Sequence, residues 1–371
     1  MVSEDPSRVL IFRPGSVGDT MVCLPCFHLI ARRFPNAERR VLTNSPVSKV
    51  SVSVKAVLDG TGLVDDYFEV DRSDVRSRLR SRWDLCRRIR SWRPELLIVL
   101  TDPRGFKQHF SELAFFKLCG VRAMLNMSFA ERAARHRWVP ERGRYEYEAA
   151  RLARLVRSVG DARLDDSASW DLRLSSTERE RALEAVKPAR GTAGLIVCSV
   201  GVADPIKDWG VENWLAMVKK LAVKAGGYGL ALVGAASEYD RSEAVRKRWH
   251  GPSANLCGRL SIRETAAVME HADVYLGHDS GPMHLAAAAG IHCVAIFTAR
   301  QHAGTWFPYG NQHRVIFHDV PCAGCNLSEC TVHAKRCITS ITVAEVLGAV
   351  EDLLFRGGAS FGTTGNASIA S

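Results

Sequence analysis

Residues 8–34 read RVLIF-RPGSVGDT-MVCLPCFHLIARRF. The first five are a short apolar run, the next eight a glycine-bearing turn, and the remainder an amphipathic helical stretch ended by Pro35. Strand, glycine turn and helix in that order open a doubly wound α/β unit. A second apolar run, Leu96–Leu100, sits between Pro94 and the TDPRG turn and reads as another buried strand of the same sheet.

The alternation starts again past residue 190. GLIVCSV (194–200), GLALVGA (229–235), DVYLGHD (273–279), HCVAIF (292–297) and RVIF (314–317) read as strands. Helical stretches lie between them at 211–225, 261–271 and 283–289, and a last helix is expected at 343–355. Residues 140–190 are charged and helix-prone, with few strand signals. The expectation is therefore an α/β protein of two Rossmann-like halves with parallel sheets, residues 1–185 and 186–356, and a cleft between the strand C-termini. The small polar stretch 357–371 has no periodicity and reads as a disordered tail.

The length of 371 residues fits two domains, and 46% hydrophobic with 24% charged residues is a globular balance. The opening MVSEDPSR lacks the basic and apolar regions of a signal peptide, and no apolar run approaches the ~18–20 residues that cross a bilayer. A cytoplasmic protein is expected. The net charge of +10 suits acidic partners: nucleic acid, an anionic membrane face or a phosphorylated sugar. Between residues 73 and 94, Val75, Leu79, Trp83, Cys86, Ile89 and Trp92 mark one face of a helix whose other face is densely arginine. A solvated basic face or a membrane-apposed one both fit.

Three turns carry candidate chemistry. In Gly15–Thr20, Asp19 could complement a helix N-terminus or face the cleft as a general base. In Asp204–Trp209, Lys207 could meet a phosphate as a point charge. In His278–His284 (HDSGPMH), Ser280 and Gly281 open a helix and could present N–H groups to a diphosphate, with Asp279 and His284 beside them. Cys23, Cys86, Cys119, Cys198, Cys257 and Cys293 lie in apolar context and read as core residues. Cys322, Cys325, Cys330 and Cys337 differ. Four cysteines spaced x2, x4 and x6 suit a structural zinc or iron site, with two disulfides or free thiols as alternatives and His333 as a substitute ligand.

Three blocks carry a resemblance: VLIFRPGSVGDTMVCLPCFHLIARRFPNA (9–37), IKDWGVENWLAMVKKL (206–221) and LCGRLSIRETAAVMEHADVYLGHDSGPMHLAAAAGIHCVAIF (256–297). Their order and spacing are similar to glycosyltransferase family nine, the heptosyltransferases. The resemblance implies a GT-B fold and an inverting transfer from ADP-heptose to a lipopolysaccharide core acceptor. It makes Asp19 the base and Lys207 the phosphate contact. Asp279, Ser280, Gly281 and His284 become the donor-binding turn, Glu238 the acid at the ribose, and Leu260 the apolar side chain on adenine. No metal is required for such a transfer, and no DxD-type acidic pair stands in the apparent site. Acceptors of this family are lipid-linked sugars bearing carboxylates and phosphates, which arginine binds in bidentate fashion. Arg13, Arg104 and Lys107 follow strands and are the acceptor-side candidates, with peripheral contact at the inner face of the cytoplasmic membrane. A protein acceptor of the autotransporter kind and a small-molecule acceptor are the alternatives. A nucleic-acid-binding protein fits the charge but not the HDSGPMH turn, and no aromatic residues cluster with the basic ones.

Overall fold

A computed structural model describes residues 5–45, 52–70, 78–101, 105–127 and 135–355. The stretches expected to hold Val75, Arg104 and the 357–371 tail lie outside the described residues.

The first domain holds a five-stranded sheet: β1 Arg8–Phe12, β2 Glu38–Asn44, β3 Asp66–Val70, β4 Leu96–Val99 and β5 Ala123–Leu125. Their order in the sheet is β3-β2-β1-β4-β5, and every pairing is parallel. A two-stranded antiparallel pair, β6 Trp138–Val139 and β7 Arg144–Tyr145, precedes the second domain. That domain holds β8 Gly194–Ser199, β9 Tyr228–Leu232, β10 Ser253–Asn255, β11 Val274–His278, β12 His292–Phe297 and β13 Arg314–Phe317. These run β10-β9-β8-β11-β12-β13, again all parallel. In both sheets the winding reverses beside the first strand, between β1 and β4 and between β8 and β11. Open α/β sheets bind ligands at such reversals, outside the strand C-termini.

The helical stretch expected at residues 21–34 is two helices, Val17–Met21 and Leu24–Arg33. Pro25 lies in the first turn of the second, where its missing N–H costs nothing, and the chain restarts there instead of continuing. The arginine-rich helix runs Arg78–Trp92 and buries Leu85, Cys86, Ile89 and Trp92. Trp83, expected on its apolar face, is instead 58% exposed. The six cysteines read as core are all buried.

The halves share one apolar core, which passes from Val9 and Ile11 through Val17 and Met21 to Met283, Leu285 and Phe297. Helix Val17–Met21 packs on helix Gly281–Ala288 closely enough that a Cβ on Gly281 would lie 2.9 Å from Val17 Cβ. Helix Ser176–Val186 falls in the first half by the sequence division, yet it packs on Ile262–Met269 of the second. At that seam the buried Arg263 donates to the carbonyls of Val57 (3.0 Å), Leu172 (3.1 Å) and Arg173 (3.2 Å) and to both oxygens of Glu178. Among the described residues no helix is long and apolar enough to cross a membrane.

Candidate active site

Asp19 is the third residue of helix Val17–Met21, directly after β1. Its Oδ2 accepts from Ser16 N–H at 2.9 Å and from Ser16 Oγ at 3.0 Å, closing a capping box. Arg13, 2% exposed, donates to the carbonyl of Asp19 at 2.6 and 3.1 Å and to that of Leu100 at 2.7 Å, and lies 3.4 Å from Asp19 Oδ1. Expected as an acceptor contact, Arg13 is turned inward and braces Asp19. The carboxylate remains partly open to the cleft.

Lys207 and the HDSGPMH turn face Asp19 from the second domain. Lys207 ends a single 3-10 turn, Pro205–Lys207, after β8. Its Nζ lies 2.6 Å from Asp279 Oδ2 and donates to the Asp279 carbonyl at 3.2 Å. Ser280 has extended backbone and is the N-cap of helix Gly281–Ala288. Pro282 has no N–H, Met283 and His284 donate to the Ser280 carbonyl at 3.2 and 3.4 Å, and the Gly281 N–H is left as the first-turn amide without a partner among the described residues. His284, one turn in, is buried, and desolvation pushes its imidazole down to about 4 despite the carboxylates of Asp279 and Asp19 nearby. It is a neutral hydrogen-bonding ring at pH 7, not a cation. Burial does the same to His278, also at about 4. Its Nε2 accepts the Trp209 N–H at 3.1 Å, which ties the Lys207 loop to β11.

Asp19, Lys207, Asp279, Ser280, Gly281 and His284 line one cavity of about 570 Å³. A second of about 550 Å³ shares Ser280 and Gly281 with it and continues to Glu238, Leu260 and Ile262. Burial raises the Glu238 carboxyl above the usual range, although Ala235 N–H donates to it at 2.8 Å. Gly201, at the end of β8, leaves room for it: a Cβ there would sit 2.1 Å from Glu238 Cδ. The two chambers together are long enough for a sugar and a nucleotide joined by a diphosphate near Ser280.

Other expected residues fall elsewhere. Lys107 is exposed on helix Phe106–Leu118 and lines neither chamber. A third cavity of about 540 Å³ lies beside that helix, between Phe12, Asn44, Arg82 and Phe115. The four C-terminal cysteines are all free, and among the described residues no three His, Cys, Asp or Glu side chains form a group that could hold a metal. Cys330 is occupied by backbone amides, Lys335 N–H donating to its sulfur at 3.4 Å, and these draw its thiol pKa down. Burial against the chain pushes the Cys337 thiol up.

Sequence reading missed two wall residues. Arg300 follows β12 and is paired with Asp204; a cation just past a strand C-terminus was the available signal. His136 lies 2.9 Å from Oε2 of the buried Glu148, and nothing in the pattern around residue 136 marks it. Burial would raise the Glu148 carboxyl, but the Arg151 guanidinium and His136 bring it to about 2.

Residues 126–335, more than half of the chain, match the model of "glycosyltransferase family 9 (heptosyltransferase)". Lipooligosaccharide heptosyltransferase 2 of Campylobacter jejuni is 29% identical over 101 residues, which are 27% of this chain and 31% of that one. The matched segment thus spans about a third of that relative's length. Among solved structures, a glycosyl transferase family 9 protein of Veillonella parvula superposes with a TM-score of 0.70 at 17% identity, over 96% of this chain and 99% of that one. E. coli heptosyltransferase WaaC with ADP-2-deoxy-2-fluoro heptose gives 0.60 at 16%, over 93% and 99%. At these identities the likeness is one of fold, two parallel-sheet domains in the GT-B arrangement.

Proposed function

The chain belongs to glycosyltransferase family 9, the heptosyltransferases, and from that premise we propose that it transfers heptose from ADP-heptose to a lipopolysaccharide core sugar with inversion. The observation that carries this reading is the meeting of Asp19 from one domain with Lys207, Asp279 and Ser280 from the other around a single cavity, continuous with the Glu238–Leu260 chamber. The donor reading also draws on the ADP-sugar bound by the WaaC relative.

In this mechanism the adenosine lies in the Glu238–Leu260 chamber, with Glu238 at the ribose and Leu260 on the base. The diphosphate lies against Ser280 and Gly281. Asp19 takes the proton of an acceptor hydroxyl as its oxygen bonds to the anomeric carbon. The bond from that carbon to the diphosphate breaks on the opposite face, so configuration inverts. Negative charge grows on the departing ADP, where Lys207 and the Gly281 N–H at the start of helix Gly281–Ala288 stabilise it. Neutral His284 can hydrogen-bond the diphosphate without adding charge. No step passes through the cysteine segment.

The acceptor enters from the first domain, which carries the arginine-rich helix and exposes Phe106 and Phe110 one turn apart beside Lys107. That face suits peripheral contact with an anionic membrane, where a lipid-linked acceptor is presented. The work then takes place at the inner face of the cytoplasmic membrane.

Thermal unfolding with ADP, UDP, GDP, CDP and dTDP tests the donor. ADP at 100 times its Kd is expected to stabilise the chain by about 2.7 kcal/mol, and a response to another nucleotide instead overturns ADP-heptose. Incubation with ADP-heptose and heptose-deficient core should add the mass of one heptose. Donor consumption without that gain moves the acceptor to a protein or a small molecule.

A further inference from the structure

Lys207 stands on a loop, Asp204–Trp209, whose only regular structure is one 3-10 turn. Such a loop holds a functional side chain in place only when other elements fix its backbone. Arg300 pairs with Asp204, Arg241 grips Asp208 with two bonds of 2.9 and 2.6 Å, and His278 accepts the Trp209 N–H. The fourth attachment is Lys335. Its Nζ donates to the carbonyls of Pro205 at 3.3 Å and Asp208 at 3.2 Å, which bracket Lys207.

Lys335 comes from the cysteine-rich segment. Its backbone is left-handed, φ 57°, at the cap of helix Arg336–Thr339. Its N–H is held by Cys330 Sγ, and its carbonyl accepts from Ile338 at 2.8 Å and Thr339 at 3.0 Å. The same segment is stitched to the loop after β12, Gly324 N–H to Ala299 O at 2.8 Å and Asn326 N–H to Arg300 O at 2.9 Å. It therefore touches both loops that carry cations of the cavity, Lys207 and Arg300.

We propose that the cysteine-rich segment is a clasp on the donor site and that Lys335 is the positioning residue by which it acts on Lys207. This rests on the reading of Lys207 as the diphosphate contact. Lys207 sits on Asp279, and it must swing or share its bonds when a diphosphate arrives. With Pro205 and Asp208 held, the side chain moves and the backbone does not. A compact ammonium with rotatable donors suits two carbonyls of one turn.

The test is a double-mutant cycle on the full chain: Lys335→Met, Lys207→Ala and the pair, with Lys335→Arg as the conservative variant. The readouts are calorimetric Kd for inorganic pyrophosphate and for ADP, and kcat/KM with ADP-heptose. Lys335→Met is expected to weaken pyrophosphate about 10-fold, within the range of coupled neighbours, and to cost nothing further once Lys207 is alanine. Lys335→Arg, still a donor to both carbonyls, should keep most of the affinity. Equal losses in both backgrounds, or no loss in either, overturn the proposal. Should Lys335→Met not fold, Lys335→Gln takes its place in the cycle. A wild-type chain that binds pyrophosphate but not ADP refutes the nucleotide reading while the cycle still reads Lys335. Binding of neither refutes both.

Discussion

At the cleft the first sheet contributes one carboxylate, Asp19, braced by Arg13 and Ser16, whereas the second contributes two cations, two buried histidines and a helix N-terminus at Gly281. Away from it the first domain also displays an arginine-rich helix and, at Phe106 and Phe110, two exposed phenylalanines. On the proposed function the difference separates the labour: one domain holds the donor, and the other supplies the base and the face from which the acceptor enters.

The largest expected effect tests that division directly. Asp19→Asn removes the base and keeps the shape, so kcat should fall roughly 10²- to 10⁴-fold with ADP affinity unchanged by calorimetry. A matching loss of ADP affinity would place Asp19 in donor binding and break the comparison.

Acid should act on the buried histidines before it reaches the buried carboxylate. His278, His284 and His313, all in the second domain, are each held near 4 by burial, against about 6.5 in an unfolded chain. Between those values only the unfolded chain takes the proton. Stability is thus complete above pH 6.5 and declines towards pH 4, by up to about 3 kcal/mol for each ring. Glu148 is depressed to about 2, so its contribution is complete above about 4.5 and lost only as pH falls towards 2. Tryptophan fluorescence against pH should show the native signal begin to fall between pH 6.5 and 4. A single transition below pH 4 would contradict the neutral histidines.

Smaller effects sharpen the picture. Glu238→Gln keeps the Ala235 bond and removes the charge, and should weaken ADP about 10-fold with acceptor KM unchanged. Lys107→Ala, on an exposed side chain outside both chambers, should change acceptor KM by less than about 2-fold. A larger rise in acceptor KM would return Lys107 to the acceptor site.

The legibility of the sequence divides along the same line. β1, β4, β8, β11 and β12 are apolar runs bounded by turns, as strands covered on both faces must be, and they and the edge strand β13 were readable to within a residue or two. β2 was not: ERRVLTN carries two arginines and a glutamate, and Arg40 is held by Glu38 and Asp66 and packs over Phe68 and Trp92. β5 and β10 are three residues each, too short for a period to register. The turns that line the cavity announce themselves because polar residues follow apolar strands there. Arg13 misled for the same reason. It follows a strand, but the carbonyls that turn it inward, those of Asp19 and Leu100, belong to tertiary structure. Arg300 stands just past a strand C-terminus, which a closer reading could have used, whereas Lys335 and His136 act through backbone atoms or partners far along the chain, and no local pattern encodes those.

Arg263 carries one further consequence. Its guanidinium makes five bonds at once to Val57 in the first domain and to 172–178 in the connection, while its backbone belongs to the second domain. A joint of that kind couples three parts of the chain at one point: replacing Arg263 would take the donor from the carbonyls of Val57, Leu172 and Arg173 and from the Glu178 carboxylate at once.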